Sequence, residues 1–263
     1  MPGACWPVIA RQIEDWMLRY DRLQLDYEPY PLGLIPNVLD EETYGELVTD
    51  YPPLPLFKHM PKLGNKYSLS SSNNRKLYYR YLADTPAWGR FHDYIQSKEF
   101  IEQALSVLKE NHIDFGLKRY RVLSRKRSKH SNPISRLLRI TELGARFEFS
   151  MMNGMGGHIR PHTDLPRKLI TFVFSMVAPG EWDGRWGGGT AVVRPKNPRY
   201  SFNRENRYLD FDDVEVVKEY PFNPNQALIF VKTFNSWHAV MPMSAPRGDA
   251  LRKTLTVNIE RKM

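Results

Sequence analysis

Arg146-Phe147-Glu148-Phe149-Ser150-Met151 alternates polar and large apolar side chains, which predicts a β-strand with one buried face. Five further short segments follow it, rich in β-branched, aromatic or apolar residues and separated by Gly and Pro turns. They span 169–177, 190–194, 214–219, 227–231 and 254–259. Many short strands with few helices between them predict an antiparallel barrel or sandwich. The polar, aromatic-rich insertion 199–213 is either a lid over a pocket or an exposed loop.

The residues before these strands show helical patterns. Apolar side chains recur at helical spacing over 9–20, Asp40-Glu41-Glu42 is typical of a helix start, and 87–96 and 98–111 predict two more helices. Ser97 is a suitable N-cap for the last of these. We therefore expect one domain over 1–263, with a mainly helical region 1–117, a basic connector 118–141 and a β core 142–263.

The composition is that of a globular protein and fits a reducing compartment. Hydrophobic residues make up 41% of the 263 residues, enough for a substantial core. Cys5 is the only cysteine, which excludes an intramolecular disulfide. The first residues lack the basic and apolar regions of a secretory signal, and the longest apolar run, 169–179, is much shorter than the roughly 20 residues that span a bilayer. These features predict a cytoplasmic protein without a transmembrane segment.

The positive charge is concentrated in one segment. The net charge is +9, and nine cations lie between Lys118 and Arg139 with no acidic residue among them. Such a segment can attract phosphates, nucleic acid or an anionic membrane surface. Its serines, Asn132 and Pro133 are equally typical of a solvated connector. Both interpretations remain open at this point.

Three residues form a candidate metal site. In the extended segment Pro161-His162-Thr163-Asp164, residues two apart point to the same side, so His162 and Asp164 can reach one ion. His238, in Trp237-His238-Ala239-Val240, supplies a third ligand from a distant part of the chain. Two imidazoles and one carboxylate that leave other positions open are typical of non-haem iron(II) oxygenases.

An arginine after this site is a candidate anchor for an anionic co-substrate. Arg252 follows His238 by fourteen residues, and Thr254 lies on the same face of the predicted strand. Arg247 is the competing candidate. We prefer Arg252 because a strand continues directly from it, whereas Arg247-Gly248-Asp249 has the composition of a turn.

Together, these motifs and the turn Gly187-Gly188-Gly189 make residues from about 147 to 260 resemble the Fe(II)/2-oxoglutarate-dependent dioxygenases, and within them the prolyl-hydroxylase-like branch. The resemblance implies an α+β fold with a mainly β core: a double-stranded β-helix (a jelly-roll or cupin-like barrel) with N-terminal supporting helices. It implies that His162, Asp164 and His238 are the catalytic iron ligands. It also implies that Arg252 and Thr254 bind 2-oxoglutarate, that O2 is consumed, and that ascorbate can serve as reductant.

The resemblance does not name a substrate. Residues near the ligands that can line a substrate pocket are Arg160, Asn153, Trp237 and Asn258. An arginine-rich mouth favours hydroxylation of a polar or anionic small molecule, with release of succinate and CO2. A protein hydroxylase of the prolyl type is the alternative. Nucleic acid is a less favoured partner, because nucleic-acid dealkylases of this kind usually carry a second arginine six residues after the first, and Glu260 and Arg261 do not reproduce that spacing. The sequence does not fix the oligomeric state.

Overall fold

The computed structural model describes residues 18–123 and 137–262. The strands are β1 Gln24–Asp26, β2 Leu32–Pro36, β3 Lys58–Met60, β4 Lys66–Ser70, β5 Tyr120–Val122, β6 Thr141–Asn153, β7 Ile159–His162, β8 Lys168–Ser175, β9 Thr190–Pro195, β10 Val214–Tyr220, β11 Gln226–Val231, β12 His238–Val240 and β13 Leu251–Arg261. The α-helices are α1 Glu41–Thr49, α2 Arg75–Asp84, α3 Pro86–Ile95 and α4 Lys98–Glu110.

The strands form two sheets. The larger has nine strands in the order β1-β2-β11-β8-β13-β6-β4-β3, with β5 also paired to β6, and the smaller has the order β10-β9-β12-β7. All pairs are antiparallel except β5 with β6. Within 18–123 and 137–262, no strand pairing joins the two sheets, so the expected barrel is not closed by hydrogen bonds.

The two faces of the large sheet differ in polarity because side chains alternate along each strand. On one face, Phe147 and Phe149 of β6 pack against Trp88 of α3, with ring centroids 6.1 and 4.6 Å from the indole. On the other face, Ser150 lies opposite Thr254 of β13 and their hydroxyl oxygens are 2.9 Å apart. The helices therefore cover the apolar face and leave a polar surface inside.

The space between the sheets is apolar on one side only. Leu228 and Phe230 of β11 pack with Val192 and Tyr220 of the small sheet in a buried cluster. The inner residues of β13, β6 and β4 are instead mainly Ser, Thr, Asn and charged residues. A polar cavity can therefore form at the side of β13 and β6.

The predicted helices in the described region are present. α1 follows Asp40, whose carboxylate accepts a hydrogen bond from the Thr43 amide at 2.9 Å, and α4 follows Ser97, whose hydroxyl accepts one from the Phe100 amide at 3.1 Å. α3 and α4 agree with the predicted 87–96 and 98–111. Most of the predicted helix 9–20 lies outside the described residues.

The sequence patterns did not predict α2 or the five strands before β6. β2 pairs with β11 and β4 pairs with β6, so these short segments are strands because the core strands supply their hydrogen bonds.

The basic connector is described only at its two ends. β5 lies within it and pairs in parallel with β6. The cations Arg125, Lys126, Arg127, Lys129 and Arg136 lie outside the described residues. In the remainder of the chain, no helix has both the length and the apolar character needed to cross a membrane.

Candidate metal centre

Two short strands of the small sheet bring the three candidate ligands together. His162 ends β7 and His238 begins β12, and the two residues are directly paired across the antiparallel strands. Asp164 follows β7 by two residues. One ligand atom from each of the three side chains lies within 4.8 Å of the others, so the cluster could hold a metal ion. Cross-strand pairing thus joins residues that are far apart in the sequence.

Backbone carbonyl groups fix the orientation of both imidazoles. His162 Nδ1 lies 2.8 Å from the Arg160 carbonyl oxygen, and His238 Nδ1 lies 2.9 Å from that of Ser236. A neutral imidazole that donates from Nδ1 keeps its Nε2 lone pair for a metal. Burial lowers the pKa of His162 to about 3 and also lowers the pKa of His238, so both rings are neutral near pH 7.

Asp164 is held through both carboxylate oxygens. Lys168 Nζ lies 2.5 Å from Oδ1, and the Thr171 hydroxyl lies 2.8 Å from Oδ2. Burial alone would raise the pKa of Asp164, but Lys168 and the two imidazoles hold it well below its usual value. Each carboxylate oxygen has two lone pairs, so it can accept one hydrogen bond and still bind a metal. Sequence reasoning missed Lys168 and Thr171, although Lys168 directly precedes the predicted strand 169–177 and Thr171 lies within it.

The three candidate ligands and Arg252 line one cavity of about 130 Å³. Thr254 and Ser150 line the same cavity, as do the apolar side chains of Val173 and Phe230. The donor set, two neutral imidazoles and an ionised carboxylate, fits Fe(II).

Arg252 is buried without an acidic partner. Arg252 is 3% exposed, and among the described residues no ion pair joins its side chain to a carboxylate. Its Nε donates to the Gly188 carbonyl, and its guanidinium carbon lies 4.4 Å from the centroid of the Phe222 ring. Burial lowers the pKa of Arg252 to about 9, which leaves it charged at neutral pH. A buried cation needs a compensating anion, and the carboxylate of 2-oxoglutarate fits that requirement.

The competing arginine lies elsewhere. The Arg247 side chain is 74% exposed, and its Nε lies 3.5 Å from Asp249 on the surface.

Gly188 lies directly against the Arg252 side chain. Its φ of +84° is in the left-handed region, and an added Cβ would lie 3.2 Å from Arg252 Cδ. The glycine-rich turn therefore allows the backbone to approach the guanidinium closely.

The four residues expected near substrate lie in different surroundings. Asn258 is buried and its side-chain amide lies 2.8 Å from the Thr171 hydroxyl oxygen, which places it beside the Asp164 network. Arg160 forms a surface ion pair with Asp210 at 2.7 Å. The Asn153 amide donates to the Gly248 carbonyl at 2.8 Å. Trp237 is buried, and its indole N–H donates to the Tyr200 carbonyl at 3.0 Å.

The insertion 199–213 packs against β7. The Leu209 amide donates to the Pro161 carbonyl at 3.0 Å, and the Tyr208 ring stacks on His162 with centroids 5.3 Å apart. The sequence did not indicate this contact with a candidate ligand.

Comparisons with known proteins agree with this geometry. The family model described as "2OG-Fe(II) oxygenase superfamily" matches residues 147–260. No curated protein matches the chain.

Among solved structures, the chain is similar to a prolyl-4-hydroxylase from Pseudomonas putida, with 12% identity, a TM-score of 0.47, and coverage of 88% of this chain and 93% of that one. It is also similar to a prolyl hydroxylase from Trichoplax adhaerens, solved with a peptide fragment of the hypoxia-inducible factor oxygen degradation domain. That match has 12% identity, a TM-score of 0.48, and coverage of 98% of this chain and 94% of that one. Similarity at this level supports no inference about the substrate.

The segment that matches the family model contains His162, Asp164, His238 and Arg252. Residues 147–260 thus form the domain of a 2-oxoglutarate-dependent dioxygenase of the 2OG-Fe(II) oxygenase superfamily, an enzyme that uses Fe(II), 2-oxoglutarate and O2.

Proposed function

We propose that this dioxygenase hydroxylates a C–H bond of a polar or anionic small molecule in the cytoplasm, with release of succinate and CO2. His162, Asp164 and His238 hold Fe(II), while Arg252 and Thr254 bind the distal carboxylate of 2-oxoglutarate. Strands β6 to β13 form the double-stranded β-helix that carries these residues. One observation carries the proposal: a buried arginine, with no acidic partner among residues 18–123 and 137–262, lines the same cavity as the three candidate ligands.

Each group of residues has a distinct task in this proposal. Bound Fe(II) supplies the oxidation chemistry, by which decarboxylation of 2-oxoglutarate is coupled to insertion of one oxygen atom into the C–H bond. The two neutral histidines and Asp164 would hold the metal as its three protein ligands. Arg252 orients the co-substrate through a charge-assisted, bidentate contact. Val173 and Phe230 provide apolar walls that exclude water.

The anchor assignment is tested by comparing two arginine variants. Arg252→Ala removes the cation that faces the cavity, and we expect it to weaken 2-oxoglutarate binding by about 100-fold, since a charged hydrogen-bonded pair is lost. Arg247→Ala removes a cation of the same type from the surface and leaves binding unchanged. Anaerobic titration of the Fe(II)-loaded protein with 2-oxoglutarate measures both. The opposite ranking would show that Arg247 is the anchor.

The substrate class is tested by succinate release. Purified protein with Fe(II), 2-oxoglutarate and ascorbate is screened against polar and anionic metabolites and, in parallel, against proline-containing peptides. The proposal expects stimulation by a metabolite. Stimulation by peptides alone would replace it with the protein-hydroxylase alternative.

A further inference from the structure

Three arginine–glutamate pairs lie on or beside the inner face of the large sheet, on strands β5, β6 and β13 and just before β8. The pairs are Arg121 with Glu142 at 2.5 Å, Arg146 with Glu148 at 2.5 Å, and Arg167 with Glu260 at 3.1 Å. All three glutamate side chains are at most 9% exposed, whereas the arginines are 28% to 35% exposed. Each carboxylate is therefore buried, and each arginine side chain is about one-third exposed.

The middle pair is connected to the metal site across the sheet. Arg146 on β6 is directly opposite Asn258 on β13, which is directly opposite Thr171 on β8. The Thr171 hydroxyl contacts both Asn258 and Asp164 at 2.8 Å. Because neighbouring strands lie about 4.8 Å apart, the Arg146 backbone lies about 10 Å from that of Thr171. That separation is suited to the length of a small substrate.

Glu148 holds Arg146 in place without neutralising the site. Besides Arg146, it contacts Lys66 Nζ at 2.7 Å and accepts from the Ser68 hydroxyl at 3.1 Å. Two cations thus share one carboxylate, so this cluster keeps a charge of +1.

Arg146 also has unused hydrogen-bond donors. Its Nε is buried and has no partner among the residues that the structure describes, and the same holds for Arg121 Nε. Buried polar atoms are nearly always paired with protein, water or a ligand, so these two nitrogens can donate to a water or to a ligand oxygen. A planar guanidinium held by a carboxylate on one side matches an oxyanion on the other.

We propose that Arg146 binds the oxyanion of the substrate, a phosphate or carboxylate group, and so directs the other end of the molecule to the metal. This rests on the proposed function and names its substrate class. In the strand register, Asn258 lies between Arg146 and Thr171, and the Thr171 hydroxyl contacts the candidate ligand Asp164.

Inorganic phosphate is the probe. The protein is loaded with Co(II), which is paramagnetic and stable in air, and saturated with 2-oxoglutarate so that the Arg252 cavity is filled. The phosphorus relaxation rate of inorganic phosphate then reports binding near the metal. We expect Arg146→Gln to weaken phosphate binding about tenfold or more, the effect of losing one charged hydrogen-bonded contact. Arg247→Gln, on the surface, leaves it unchanged.

A second variant distinguishes loss of the guanidinium from a change in net charge and from misfolding. Arg146→Met with Glu148→Gln removes one charge of each sign, so the cluster keeps its charge through Lys66 and no buried carboxylate is left unpaired. Loss of phosphate binding in this double variant supports Arg146 as the anchor. Equal relaxation in the wild type and both Arg146 variants overturns the proposal, because phosphate then binds elsewhere or directly to the metal.

The same samples distinguish failure of this inference from failure of the proposed function. The Co(II) absorption spectrum reports whether 2-oxoglutarate binds. If 2-oxoglutarate binds but the phosphorus relaxation rate is the same with and without the Arg146 guanidinium, only the assignment of Arg146 as the phosphate anchor is wrong. If 2-oxoglutarate does not bind at all, the proposed function fails. Samples prepared with Co(II) but without 2-oxoglutarate then still show whether phosphate binding depends on Arg146.

Discussion

The candidate ligands depend on neighbours that hold them in position. Backbone carbonyls orient both imidazoles through Nδ1, and Lys168 and Thr171 each contact one oxygen of Asp164. Such outer contacts commonly contribute 10- to 100-fold to metal affinity. The candidate metal site therefore extends beyond the three candidate ligands.

Thr171→Val tests this positioning. The change keeps the side-chain shape but removes the hydroxyl that contacts Asp164 and Asn258, so we expect metal affinity to fall about tenfold. Calorimetric titration with Co(II) measures it. Thr163→Val is the matched control, because Thr163 is buried beside the ligands but its hydroxyl faces the Asn203 carbonyl. Equal affinity in both variants would show that the Asp164 contact has no effect.

The helix layer supports the strands that carry the site. Trp88 of α3 is fully buried and lies against Phe147 and Phe149 of β6, the strand beside β13. The helices thus stabilise the sheet from its apolar face, while the polar face remains free for chemistry.

We expect Trp88→Ala to lower the free energy of unfolding by about 3–5 kcal/mol, since it leaves a large cavity between helix and sheet. Urea denaturation of the iron-free protein measures the change. Phe202→Ala is the control, because that residue is 69% exposed and its truncation should change stability by less than about 0.5 kcal/mol. A small effect at Trp88 would mean that the helix layer packs loosely.

The predictability of each strand followed its length and burial. The long strands β6, β8 and β13 carry clear apolar patterns and were predicted from sequence. β7 and β12 have four and three residues, too few for a pattern, yet they carry both histidines. Their candidate ligands were proposed from residue chemistry and spacing, while the contacts of Lys168, Thr171 and Tyr208 depend on tertiary packing that a single sequence does not encode locally.

The complete cavity draws on residues beyond the family-matched segment. Lys66, on β4 of the N-terminal region, lines the same cavity as Arg252. β4 reaches this position by pairing with β6. The N-terminal region therefore forms part of the site and is not only a support.

The neutral histidines make the iron-free protein sensitive to acid. The pKa of His162 falls from 6.5 to about 3 on folding, mainly through burial, so the unfolded chain binds a proton first as the pH drops. This contribution to stability is fully present above pH about 6.5 and is lost as the pH falls toward 3. We expect the free energy of unfolding to decrease by about 1 kcal/mol or more between pH 7 and 5.

Urea denaturation of the iron-free protein at pH 7 and pH 5 checks this, with His162→Gln showing a smaller decrease. His59, exposed on β3, provides the control His59→Gln, which should behave like the wild type. If the free energy of unfolding of His162→Gln decreased as much as that of the wild type between pH 7 and 5, groups other than His162 would cause the acid sensitivity.

The central claim is that His162, Asp164 and His238 hold one Fe(II) next to a 2-oxoglutarate bound by Arg252. Anaerobic addition of Fe(II) and 2-oxoglutarate, followed by the charge-transfer absorption of their complex, tests it most directly. The account predicts one Fe(II) and one 2-oxoglutarate per chain in the wild type and no such absorption in His162→Ala. Full absorption in His162→Ala, or none in the wild type, would contradict it.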